Sequence, residues 1–171
     1  MKNIPKLLLS LAGACLILAG QVNASTVYLV RHAEKLPDGK DPALSQCGLA
    51  RAKALADYFS DKALNAVYAT PYQRTQQTAS PVAAAKQLSV TAYDPREPKQ
   101  LLTQLSALSQ PVLIVGHSNT VPQLVSLLSG IEMAALTEQD YNLLYRVDLA
   151  DQPSVTLMRQ AFICDAQAGK P

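Results

Sequence analysis

The chain has only two histidines and three cysteines in 171 residues. None of these stands in a Cys-x-x-Cys pair or a His-rich spacing, so the sequence offers no zinc framework. Nor is there an interior repeat or a low-complexity tract. Charge of one sign is also missing: 15 basic residues face 13 acidic ones. Two of the basic residues, Lys2 and Lys6, lie in the extreme N-terminal segment, and the remainder balances. A general affinity for nucleic acid or for anionic lipid is therefore not expected, and any attraction for an anion must be local.

Long apolar runs are absent after Ala24. Before it, residues 7–20 form an almost unbroken apolar stretch behind Lys2 and Lys6, and Gln21-Val22-Asn23-Ala24 closes with small residues where a signal peptidase reads. Residues 1–24 are accordingly expected to be an export signal. The run is short for a bilayer span, which needs about 20 residues, so no stable membrane insertion is expected once the signal is cleaved. The Ala12-Gly-Ala-Cys15 stretch lacks the large apolar residue of a lipoprotein site. Residues 25–171 then form one domain of ordinary size, periplasmic or secreted.

Short β-branched runs alternate with helix-like stretches. Strands are expected at residues 26–30, 66–69, 90–93 and 112–115. Helices are expected at 44–59, 70–87, 98–108 and 121–128. The first helix should present Leu49, Ala52, Leu55, Ala56 and Phe59 on one face. Thr70-Pro71 reads as an N-cap hydroxyl followed by proline at the first helical position, and Ser129-Gly130 as a helix end. Residues 143–149 and 155–162 read as a closing hairpin turning at Asp151-Gln152-Pro153. This order predicts an α/β three-layer sandwich: a mostly parallel central sheet with helices on both faces. Residues 165–171 are expected to be a loose tail.

Both histidines stand where an apolar run stops. Residues 26–30 lead into Arg31-His32, and residues 112–116 lead into His117. In an open α/β sheet the carboxyl ends of strands carry ligands and catalysis. A third charged motif, Thr70-Pro71-Tyr72-Gln73-Arg74-Thr75, follows the second strand and puts Arg74 in the first turn of a helix, which itself favours an anion. Two guanidiniums and two imidazoles around one point suit a phosphoryl group, and imidazole is a competent nucleophile toward phosphorus.

These motifs resemble the histidine phosphatase superfamily, the phosphoglycerate-mutase-like proteins, most nearly its small exported bacterial members without a cap domain. Arg31-His32-Ala33-Glu34-Lys35 resembles the family's Arg-His-Gly/Ala signature. Leu44-Ser45-Gln46-Cys47-Gly48 resembles the segment that opens its first helix. Thr70 to Thr78 resembles its Ser-Pro-x-x-Arg-Thr-x-x-Thr motif, and Val115-Gly116-His117 its Val-Gly-His block. The resemblance implies a phosphomonoesterase with a phosphohistidine intermediate on His32, and with Arg31, Arg74 and His117 holding the phosphoryl oxygens. It implies no metal and no cofactor, with a small phosphorylated molecule as substrate.

The general acid is where the resemblance thins. The stretch after the third strand reads Ala92-Tyr93-Asp94-Pro95-Arg96-Glu97, and Asp94 is the first candidate, Glu97 the second and Glu34 a third. Two rival readings are a phosphomutase, which shares the chemistry, and a non-catalytic phosphate-binding module. A serine hydrolase built on Gly116-His117-Ser118 lacks the second glycine of the nucleophile elbow and a histidine after the serine. Sequence leaves open the natural substrate, the oligomeric state and whether Cys47 and Cys164 are bridged.

Overall fold

The computed structural model describes residues 25–108 and 110–164; the expected export signal and the C-terminal tail lie outside them. Ten elements follow in order. They are β1 (Ser25–Arg31), α1 (Gln46–Tyr58), β2 (Ala66–Ala69), α2 (Gln73–Ala85), β3 (Val90–Ala92), α3 (Pro98–Ser106), β4 (Val112–Gly116), α4 (Thr120–Ser129), β5 (Leu143–Leu149) and β6 (Ser154–Arg159). One six-stranded sheet runs in the order β3-β2-β4-β1-β5-β6. The pairings among β1 to β4 are parallel, whereas β5 joins β1 antiparallel and pairs with β6 as a hairpin. This is the expected α/β architecture, with a mixed sheet.

Strand side chains alternate between two cores, as the pleat dictates. Val27, Leu29, Val112, Ile114 and Tyr68 pack with Leu101 and Leu105 of α3 and with Val121, Leu124 and Val125 of α4. Val30, Leu113, Val115, Val67 and Ala69 face the other way, onto Leu55, Ala56 and Phe59 and onto Ala79, Val82 and Ala83 of α2. Helices therefore cover both faces. Phe59 is wholly buried, and removing one such side chain from water is worth about 1.5–3 kcal/mol.

Two local expectations are corrected. Leu49 is 44% exposed, and the helix turns Gly48 and Arg51 inward with Ala52, Leu55 and Ala56. The reason is polar: Arg51 reaches a carboxylate beneath the helix, so a charged residue holds a position that hydrophobic spacing assigns to leucine. Gly48 must be glycine for a related reason, because a Cβ there would run into the backbone carbonyl of Glu34. The second correction concerns Thr70, which is not an N-cap. Tyr72 caps α2 without a side-chain bond, and the Gln73 N–H donates instead to the Asp41 carboxylate at 3.0 Å. Proline at 71 keeps the chain extended before the helix begins. By contrast Ser45 does cap α1, accepting from Gly48 N–H at 3.1 Å, and Gly130 ends α4 in the left-handed conformation at φ 73°, where glycine is unstrained.

Cys47 and Cys164 form a disulfide with Cα atoms 5.8 Å apart. The start of the first helix and the segment after the last strand are thus within bridging reach, the point sequence left open. Among the described residues no helix is long and apolar enough to cross a membrane.

Candidate active site

Strand order brings the two histidines together. β1 and β4 are sheet neighbours with Arg31 opposite Gly116, and the ladder continues one step, His32 N–H donating to Gly116 carbonyl at 2.9 Å. The next residues on each strand, His32 and His117, therefore meet, their ring centroids 5.5 Å apart. β2 flanks β4 on the other side and delivers Thr70 and the first turn of α2, with Arg74.

His32 is 3% exposed. Its Nδ1 lies 2.8 Å from the Ala33 carbonyl. A carbonyl only accepts, so Nδ1 carries the proton and Nε2 is left with the lone pair. The loop that holds the ring is fixed in turn: Ala33 N–H donates to Thr78 Oγ1 at 2.9 Å. His117 is held from two sides. Its Nε2 is 2.9 Å from Thr70 Oγ1, and its N–H donates to Thr120 Oγ1 at 2.9 Å. Thr70 Oγ1 thus links the imidazole to α2, lying 2.9 Å from Thr75 Oγ1 as well.

Burial, ahead of the nearby arginines, pushes both imidazoles below their ordinary range, His32 to about 3 and His117 to about 4. Both rings are neutral near pH 7 when no anion is bound. For His32 that leaves Nε2 free to attack an electrophile.

Arg31 is buried. It donates to the Thr137 carbonyl at 2.6 Å and to Glu138 Oε2 at 3.0 Å, and it stacks on Tyr141 at 4.2 Å. Arg74 reaches Asp41 Oδ1 at 3.4 Å and lies over the Tyr72 ring at 4.6 Å. Each of the two arginines also keeps a buried Nε–H donor that no protein acceptor meets. Leaving such a donor unsatisfied costs on the order of 1–3 kcal/mol, and an oxyanion between them would remove that cost.

A cleft of about 260 Å³ is lined by Arg74, His117, Asn119 and Thr120 together with Tyr72, Pro95 and Arg96. Those last three residues also wall an adjoining cleft of about 440 Å³ that contains Tyr93 and Asp94. Asp94 therefore lines the adjoining cleft and not the one that His117 lines. Its carboxylate is gripped by Arg96, Oδ2 to Nη2 at 2.6 Å, and that hydrogen bond holds it at about 2. In this arrangement Asp94 is an anion with no proton to give near neutral pH. Glu97 is exposed beside it. Glu34 is committed elsewhere, to Arg51 through three contacts of 2.6 to 3.0 Å, and is not poised as an acid.

Sequence reasoning passed over several residues that shape this site. Asp41 comes from the loop between Glu34 and Leu44. Thr137, Glu138 and Tyr141 come from the segment between α4 and β5, which is tied down by Leu136 N–H donating to Ser118 carbonyl at 2.9 Å. Neither stretch has periodicity or a motif. Only the fold brings them over the strand ends.

Parts of the chain are similar to known proteins. Residues 27–95 match the model of the histidine phosphatase superfamily (branch 1). An uncharacterized protein of Mycobacterium tuberculosis is 42% identical over 71 residues, covering 37% of this chain and 35% of that protein. Phosphoserine phosphatase 1 of Hydrogenobacter thermophilus is 42% identical over 75 residues, covering 40% and 36%. The match thus spans about a third of the length of these curated relatives. Among solved structures, the protein histidine phosphatase SixA complexed with tungstate superposes with a TM-score of 0.64 at 19% identity, over 79% of this chain and 97% of that one. A putative alpha-ribazole-5'-P phosphatase from Escherichia coli K-12 gives 0.65 at 15% identity, over 84% and 100%. At these identities the likeness establishes the fold.

Proposed function

We propose that this chain, whose residues 27–95 match the model of the histidine phosphatase superfamily (branch 1), is a member of that superfamily and a phosphoric monoester hydrolase that works through a phosphohistidine on His32. One observation carries the reading: an unprotonated Nε2 on the buried His32 beside two arginines whose Nε–H donors have no acceptor. The phosphoryl oxygens take those donors, with His117 completing the ring. Nε2 attacks phosphorus in line as the bond to the leaving oxygen breaks, and the positive charge that develops on the imidazole is eased by the Nδ1–H bond to Ala33 carbonyl. Water then attacks the phosphorus as the bond from phosphorus to Nε2 breaks, its proton passes to solvent, and inorganic phosphate leaves with His32 back in its neutral state. Positive charge from arginine and histidine neutralises the transferring group, so a chelator should leave the rate unchanged.

With Asp94 held as an anion, solvent at the open cleft mouth protonates the leaving oxygen. That favours leaving groups of low basicity. An exported location fits the Cys47–Cys164 disulfide, since such bonds persist in oxidising compartments. An ionised Asp94 equally fits a module that binds phosphate without turnover, and hydrolysis of any simple phosphomonoester separates the two. The direct test is a rapid quench, kept free of acid, with labelled substrate. The label should sit on a peptide containing His32 and be released by acid. His32→Ala should lose several orders of magnitude in rate; a variant keeping a tenth of the activity would overturn the role.

A further inference from the structure

We propose that Arg96 binds a second negative group on the substrate, so that the preferred substrates are phosphomonoesters whose leaving group carries a carboxylate or another phosphate. The assignment rests on the phosphoryl site described above for its first anchor, though not on turnover. Arg96 is the charged residue common to the two clefts. It lines the smaller one with Arg74 and His117 and the larger one with Tyr72 and Pro95. A group leaving the phosphoryl site along this groove lies on the Tyr72 ring and Pro95 and ends beneath the guanidinium. The larger cleft, about 440 Å³, is of the size that holds small ligands.

The guanidinium is prepared for this task by Asp94. Arg96 Nε reaches Asp94 Oδ1 at 3.0 Å, Nη2 reaches Oδ2 at 2.6 Å, and the Arg96 backbone N–H donates to Oδ1 at 2.9 Å. One edge of the fork is thereby fixed against the turn. Among the described residues its Nη1 donors meet no acceptor, and the side chain is 85% exposed. An arginine has five donors and can hold one carboxylate on each edge. Asp94 is on this view a positioning residue. A solvent-exposed ion pair contributes little to stability, so stiffening the turn gains the fold little.

The experiment compares paired ligands on the whole protein. Binding is measured by calorimetry for benzylphosphonate and 4-carboxybenzylphosphonate, which cannot be hydrolysed. Turnover is measured for phenyl phosphate and 4-carboxyphenyl phosphate. At low salt the wild type should bind the carboxylated phosphonate at least tenfold tighter. Arg96→Gln should shrink that ratio to twofold or less, Arg96→Lys should keep part of it, and 0.5 M salt should erode it in the wild type. Asp94→Asn should lower the ratio through KM for the carboxylated substrate, with kcat little changed. An unfolding midpoint for Arg96→Gln equal to wild type shows that the fold is intact. A wild-type ratio near one, or a ratio that survives Arg96→Gln, overturns the proposal, as does failure to bind either phosphonate. If the binding ratio behaves as expected while neither phosphate ester is hydrolysed, the phosphatase reading falls and the role of Arg96 stands.

Discussion

Nη2 of Arg51 lies 2.6 Å from Oε1 of Glu34, and Glu34 is two residues beyond His32. Arg51 also donates to the Phe162 carbonyl at 3.1 Å and faces the Phe162 ring. One nearly buried guanidinium thus joins the loop of the nucleophile, helix α1 and the segment that ends in Cys164. Arg51→Met removes the partner of a carboxylate that is 19% exposed. Breaking a buried pair costs about 3–5 kcal/mol, and the residual access of Glu34 to water brings the expected loss to about 2–3 kcal/mol. Urea unfolding reads it directly. Adding Glu34→Gln should recover part of the loss, and strict additivity of the two changes would contradict a direct pairing.

Stability without ligand should depend on pH through the two imidazoles. Their folded values, about 3 and 4, lie below the ordinary 6.5. Between those limits the unfolded chain binds protons that the folded chain refuses. Their contribution is therefore complete above pH 6.5 and is lost as pH falls toward 4. For His32 alone the limiting slope is about 1.4 kcal/mol per pH unit. Urea midpoints at pH 7, 6 and 5 should fall in that order, and His32→Ala should flatten the trend. Inorganic phosphate should also flatten it, since a bound anion stabilises imidazolium. A midpoint that rises on acidification would refute the assignment of neutral rings.

The Cys47–Cys164 bond closes a loop of 117 residues in sequence separation. In the chain-entropy account, a cross-link over so long a loop is worth roughly 4–5 kcal/mol, less any native strain. Reduction, or a Cys47→Ser and Cys164→Ser pair, should shift the urea midpoint downward by a corresponding amount. Thiol titration of the unfolded, unreduced protein should find neither residue reactive. Two reactive thiols would mean that the bridge does not form.

Asp94 invites a sharper test than activity alone. A general acid matters for alkyl leaving groups and little for p-nitrophenolate, with an effect of about 10²–10⁴-fold. Since Arg96 keeps Asp94 ionised, Asp94→Asn should change the alkyl-to-aryl rate ratio by less than about threefold, well short of that range. Glu97→Gln measured beside it reads the second candidate on the same scale. A hundredfold selective loss on the alkyl ester in either variant would restore that residue as the acid.

The order of strands and helices was legible from the amino acids because each apolar run has its own period. The run at 143–149 matches β5 residue for residue, as that at 66–69 matches β2. His32, His117, Arg31 and Arg74 were legible too, since each directly follows a strand or opens a helix. What sequence could not supply is adjacency. β4 inserts between β1 and β2, and only that insertion sets His117 beside His32 and Thr70 beside His117. The same holds for Asp41 at the start of α2, for Glu138 against Arg31 and for Cys164 against Cys47. Those partners lie between about 30 and 120 positions apart in the chain. Local propensity acts over a few residues, and long-range pairing is decided by how the two cores pack. Asp94 too, two residues past β3, has its carboxyl held below the ordinary range by a contact that propensity does not encode, the hydrogen bond from Arg96.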